Sequence, residues 1–151
     1  ALNTTTLAYM GDAVYETYVR AHLLDKGLID ANRLHGAAVA YVRADAQAAA
    51  VRAMLSELPE AEQALVRRAR NRKSGSRPKS TDPVTYKWAT AFEALVGYLF
   101  LAGDRERMEE VIRRAICSAG GSNGEKANDQ PGPQLAGGLL PDQPGNHEGS
   151  G

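Results

Sequence analysis

Residues 7 to 24 read LAYMGDAVYETYVRAHLL. Leu7, Met10, Val14 and Tyr18 recur on one face at helical spacing, which predicts an amphipathic helix. The threonines at 4 to 6 offer hydroxyls to cap its start, and Gly27 suits its end, where a positive φ is often required. The rest of the body reads in the same way. Asp30 is the expected cap of an Ala-rich region over 31 to 57, with Val39, Val42, Val51, Met54 and Leu55 as its apolar side. Either Gly36 or the neighbourhood of Arg43 divides that region into two helices. Pro59 fits a first helical turn, with a short helix over Glu60 to Arg70 behind it. Residues 71 to 83, NRKSGSRPKSTDP, break the periodicity with Gly, Ser and Pro and predict a loop. Asp82-Pro83 starts the next helix, which is strongly apolar from Tyr86 to Leu101 and ends near Gly103. Asp104 caps a last amphipathic helix with Met108, Val111, Ile112 and Ile116 on its inner side. No run alternates with period two, and no internal repeat is present. The expected fold class is an all-α helical bundle.

Not all of the 151 residues can join that bundle. Residues 118 to 151 hold nine of the 15 glycines and four of the seven prolines, with Leu135, Leu139 and Leu140 as their only large aliphatics. Such a stretch buries too little apolar surface to offset the entropy of ordering it. The sequence therefore divides into a folded domain over 1–117 and a disordered Gly/Pro-rich tail over 118–151. The longest apolar run, Ala94 to Ala102, is well short of a membrane span, so no membrane partner is expected. Cys117 is the one cysteine, which excludes an internal disulfide and a cysteine zinc cluster. The first residues are polar and show no basic n-region of a signal peptide.

The net charge of zero conceals an asymmetry. The tail sets Lys126 against Glu125, Asp129, Asp142 and Glu148, a balance of −3, which leaves the body at +3. Between Arg67 and Lys79 stand seven cations and no acid: Arg67, Arg68, Arg70, Arg72, Lys73, Arg77 and Lys79. A block of this kind displaces counterions from a polyanion and binds it in a salt-sensitive, largely sequence-independent way. Ser74, Ser76, Ser80 and Thr81 add hydroxyls for phosphate oxygens or a 2′-OH. The expected nucleic-acid contacts are Arg70, Arg72, Lys73, Ser74, Arg77 and Lys79. A solvated helix end, with arginines answering the macrodipole, accounts for Arg67, Arg68 and Arg70 but not for the run as far as Lys79.

Two solitary carboxylates stand out. Asp12 is the only charged residue before Tyr15, and Glu93 the only one between Trp88 and Ala102. Each lies in a helix expected to be among the most buried, where a carboxylate is costly unless neutralised or hydrogen-bonded. Brought together they would repel and raise one pKa. A hard divalent cation between them answers both problems, since Mg2+ takes oxygen ligands and keeps several waters. Gly11 removes a side chain where a partner helix or ligand could come close. The structural alternatives are an exposed stripe of Asp12, Glu16 and Arg20, and a core Glu93 bonded to a tyrosine hydroxyl or to Lys87. His22, His35 and His147 have no serine or cysteine pattern near them, and no P-loop, dinucleotide fingerprint or metalloprotease motif is present.

The 7 to 24 helix resembles the signature helix of ribonuclease III catalytic domains, with its Gly-Asp pair inside an apolar helix. ATAFEALVGYLFLAGD at 89 to 104 resembles their second catalytic helix. RARNRKSGSRPKSTDPVTYKWATAFEALVGYLF at 68 to 100 is similar to the Mini-III ribonucleases, which have that catalytic domain without a double-stranded-RNA-binding domain. The likeness covers nearly the whole body and leaves out the tail. It implies a ribonuclease III-like endonuclease domain, a homodimer that cuts double-stranded RNA with Mg2+, leaving a 5′-phosphate and a 3′-hydroxyl. The substrate it implies is precursor 23S ribosomal RNA, and the expected compartment is a bacterial cytoplasm or a plastid. By motif position Asp12 and Glu93 match the catalytic, metal-holding acids, and Glu16 is an outer-shell candidate. Larger ribonuclease III enzymes carry two further acids where this chain has Ala8 and Thr90. A non-catalytic RNA-binding or ribosome-associated module on the same fold is the alternative; a helical DNA-binding regulator fits less well, because Gly and Pro interrupt any recognition helix in the loop.

Overall fold

The computed structural model describes residues 2 to 73 and 79 to 121. Ser74 and Arg77 of the basic block, and residues 122 to 151 of the expected tail, lie outside the described residues. Among the described residues are six α-helices and no strand: α1 (Thr4–Asp25), α2 (Ala31–Val42), α3 (Ala44–Met54), α4 (Glu60–Asn71), α5 (Pro83–Leu101) and α6 (Arg105–Gly121). A single 3-10 turn, Leu55–Glu57, joins α3 to α4.

The caps follow local chemistry. Asp30 accepts from the Arg33 amide, Asp82 from Thr85 and Asp104 from Arg107, as expected. At the start of α1 the capping residue is Asn3 rather than a threonine: its side chain accepts from the Thr6 amide at 2.9 Å, and the threonines form the first helical turn. The Ala-rich region divides at Arg43, whose extended backbone separates α2 from α3. Pro59 is the N-cap of α4 and so stands just outside the first turn. Gly27 and Gly103 hold positive φ at the ends of α1 and α5, where a side chain would strain the backbone. Helix α6 runs on to Gly121, four residues past the boundary expected at 117.

Helix α5 is the axis of the bundle. Ala91, Phe92, Ala94, Leu95 and Val96 are all fully buried, so the helix is covered on every side rather than along one stripe. Its neighbours are α1, α3, α4 and α6, which supply Val19, Val51, Val66, Val111 and Ile112 to the same core. Each such side chain stabilises the fold by about 1.5–3 kcal/mol relative to exposure. Tyr15 of α1 meets Phe92 edge-on at 4.8 Å between ring centres. A half-buried Arg107 ties α6 to α4 through Glu62 at 3.1 Å.

Candidate active site

Helices α1 and α5 touch backbone to backbone. A Cβ at Gly11 would collide with the Glu93 carbonyl and stand 2.9 Å from the Gly97 nitrogen. A Cβ at Gly97 would collide with the Leu7 carbonyl and stand 3.0 Å from the Gly11 nitrogen. This paired glycine contact brings Asp12, next to Gly11, to the segment that carries Glu93. Residues at the starts of both helices line one small pocket, and residues near their later ends line a second. The two helices therefore run side by side in the same direction, with the acids between the pockets.

Asp12 is exposed and Glu93 half-buried, so the aspartate is less enclosed than its apolar helix suggested. Among the described residues, neither carboxylate accepts a side-chain hydrogen bond or joins an ion pair. Glu93 therefore has no bond to a tyrosine hydroxyl or to Lys87. Its carboxyl is pushed up to about 8, first by burial and then by the negative charge of Asp12. The Asp12 carboxyl is also raised, by burial and then by Glu16. Glu93, the deeper acid, therefore holds its proton at neutral pH. Glu16 itself is paired with Arg20 at 2.7 Å, the ordinary i, i+4 contact.

A donor set of two carboxylates with no bonded partner suits a hard cation that keeps waters and takes substrate phosphates as further ligands. No group of three or more His, Cys, Asp or Glu among the described residues forms a closed metal cage. Two carboxylates alone would leave the remaining positions around such an ion to water and phosphate oxygens.

The basic residues separate into two groups. Arg70 lies over Trp88 at 4.8 Å from the ring centre, with Arg52 also on that ring at 5.4 Å, and it donates to Asn71 at 3.1 Å. Its cation is engaged in packing α4 against α5. Arg72 and Lys73 are exposed and line the pocket at the start of α1 and α5, and Lys79 is exposed in the loop. At the other end Val14, Tyr18, Phe100 and Met108 line an open groove of about 630 Å3. Tyr9 is 82% exposed and stands one turn before Ala13, another residue of that groove.

The ribonuclease III domain family matches residues 5–104, both carboxylates included. The chain belongs to the ribonuclease III family. It is 53% identical over 110 residues to Mini-ribonuclease 3 of Symbiobacterium thermophilum, covering 73% of this chain and 85% of the relative. It is 47% identical to Mini-ribonuclease 3 of Brevibacillus brevis over 80% of this chain and 90% of that one. A crystal structure of a protein from Fusobacterium nucleatum superposes with a TM-score of 0.68 at 30% identity, covering 76% of this chain and 92% of that chain. These relatives place it with the Mini-III ribonucleases and make it an endoribonuclease. Within this ribonuclease III domain, Gly97 and the exposed Tyr9 and Phe100 escaped the sequence reading. Tyr9 carried a signal: it is out of phase with the buried positions Leu7, Ala8, Gly11, Val14 and Tyr15.

Proposed function

We propose that the chain is a Mg2+-dependent endoribonuclease that cuts double-stranded RNA as a homodimer, with the ends of precursor 23S ribosomal RNA as its substrate. The observation that carries this reading is the glycine contact that sets Asp12 beside a Glu93 whose carboxyl has no bonded partner. Asp12 and Glu93 would hold Mg2+, which when bound polarises the scissile phosphate and acidifies a water. Glu93 must first release its proton, and Asp12, on the exposed side, faces the strand. Arg72, Lys73 and Lys79, with Ser74 and Arg77 beside them in sequence, bind the phosphates and hold the duplex in register. The products are a 5′-phosphate and a 3′-hydroxyl. The apolar groove and the exposed Tyr9 and Phe100 support a two-fold dimer, in which each subunit cuts one strand of a duplex that has its own local dyads. A-form RNA is read through shape and backbone, which fits a chain whose candidate contacts are cations and hydroxyls. Among the described residues no helix is long and apolar enough to cross a membrane, and the bacterial cytoplasm is the compartment that suits the substrate.

The test is incubation of the purified chain with precursor 23S ribosomal RNA, with Mg2+ or with EDTA, and mapping of the new ends. Paired cuts across the stem that require Mg2+ are expected. Binding without cutting under both conditions would refute the enzyme and favour a non-catalytic RNA-binding module.

A further inference from the structure

At the start of the α1–α5 pair, away from the apolar groove, a cavity of about 40 Å3 is lined by residues of α1, of α5 and of the end of α4. That is room for roughly three waters, or for one small tetrahedral anion, but not for a base. Thr4, Thr5, Arg72, Lys73, Tyr86 and Lys87 line it, and no acidic residue does. We propose that this pocket is a phosphate subsite that grips a backbone phosphodiester beside the cut, with Thr4 and Lys87 as binding residues alongside Arg72 and Lys73. The proposal rests on the endoribonuclease reading and adds a place on the protein for a second phosphate of the same duplex.

Three independent features converge there. Thr4 is only 5% exposed, yet its hydroxyl has no hydrogen-bond partner among the described residues. That hydroxyl is not a buried unsatisfied group, since Gln47 Oε1 is the only such side-chain atom among the described residues. The Thr4 hydroxyl lines the cavity and is free to donate to an anion there. Thr4 and Thr5 also open the 22-residue helix α1, and Asn3 caps only the Thr6 amide. The two amides before it remain at the positive end of the helix, where anions bind. Lastly, Arg72, Lys73 and Lys87 have no acidic partner among the described residues, so their mutual repulsion is relieved by an anion rather than by the protein.

The position suits the reaction. Tyr86 and Glu93 are seven apart on α5, as are Thr5 and Asp12 on α1, so each helix carries a pocket residue and an acid on one face two turns apart. Lys87 stands six residues before Glu93, about 9 Å along the helix axis. Thr90, between them, shapes the wall; its own hydroxyl donates to the Tyr86 carbonyl at 2.9 Å.

The test uses the full chain carrying Asp12→Asn, in EDTA, so that binding is read without cleavage. Affinity for a duplex RNA is measured against salt for this background and for the same background with Lys87→Ala, Lys87→Arg or Thr4→Val. Lys87→Ala should weaken binding severalfold and reduce the salt slope by about one, while Lys87→Arg restores both. In the otherwise natural chain, Thr4→Val should raise KM and leave kcat nearly unchanged. Titration with inorganic phosphate, followed by amide resonances of Thr4, Thr5 and Lys87, reports the pocket without RNA. An unchanged salt slope in Lys87→Ala overturns the subsite even if phosphate moves those resonances, since the pocket then serves a free anion and not the RNA backbone. Lys87 is exposed, so a folding defect does not confuse that variant. Cleavage by the natural chain is scored separately: its absence refutes the nuclease and leaves the subsite to the binding data.

Discussion

The same two helices end in opposite chemistry. Where α1 and α5 begin, the surface is a small pocket of hydroxyls and cations, with Thr4, Arg72 and Lys87. Toward their later ends it is a groove more than ten times larger, lined by Val14, Phe100 and Met108. Asp12 and Glu93 lie between. In the proposed reading substrate takes the polar end and a second copy of the chain the apolar one, so that a single pair of helices would serve both. The backbone contact at Gly11 and Gly97 is the fulcrum: it sets the register in which a polar face and an apolar face are both presented.

The largest expected effect comes from the acids in the middle. Asp12→Asn and Glu93→Gln should each lower cleavage of duplex RNA by at least about 10²–10³-fold, the scale on which a lost group that stabilises transition-state charge is felt. Circular dichroism should show both folded, with duplex affinity retained. A variant that cuts at the natural rate would reduce the acids to structural residues and leave the two ends with nothing between them. Gly97→Ala should come next. Its methyl has no space against the Leu7 carbonyl, and the obstacle is backbone rather than a yielding side chain. The cost should be about 3 kcal/mol or more, seen as a melting temperature lower by roughly 10 °C or more. A melt equal to that of the natural chain would mean that the helices do not meet there.

How much of this could be read from the chain itself depends on whether the signal was local. Helix α5 was readable because its apolar run has no polar side, and Asp30, Asp82 and Asp104 because a capping side chain acts on amides three residues away. Asp12 and Glu93 were conspicuous as lone charges in apolar helices. That Asp12 would be exposed was not readable, because its face is set by where α1 crosses α5. Gly97 was hidden inside ALVGYLF, where a glycine looks like one more small residue until a second helix arrives. Arg70 resembled its basic neighbours in sequence, and only the approach of Trp88 distinguishes it from Arg72. Thr4 drew attention as a capping hydroxyl, but Asn3 took that role and left Thr4 facing the cavity.

The apolar end is tested by charge. Phe100→Asp should weaken self-association by about 30-fold, the scale of one anchor residue in an interface, so that sedimentation at micromolar concentration shows monomer. Lys87→Ala, at the opposite end, should leave the dimer intact. If Phe100→Asp stays dimeric, the groove is not the subunit contact, and the division of labour between the ends loses one of its halves.

The smallest expected effect is on pH dependence, and it separates the acids from both ends. In the metal-free protein Glu93 keeps its proton up to about 8, against an ordinary 4.5. Between those values the folded state binds more protons than the unfolded state, so stability falls as pH rises through the window. Below about 4.5 both states are protonated and the difference vanishes. The raised Asp12 carboxyl acts in the same direction. With solvent reaching the half-buried group, the loss should be about 1–3 kcal/mol, measured as a falling melting temperature in EDTA from pH 5 to 8.5. Cleavage should move the other way over the same window, because the role proposed for Glu93 needs its ionised form. More Mg2+ should shift the midpoint of that rise to lower pH, since a cation competes with the proton for the same oxygens. A midpoint indifferent to Mg2+ would detach the titrating group from the metal, and with it Glu93 from the chemistry. Lys87→Ala should leave the slope of melting temperature against pH unchanged, and Phe100→Asp should lower the melt by loss of the partner while keeping that slope, which belongs to the acids.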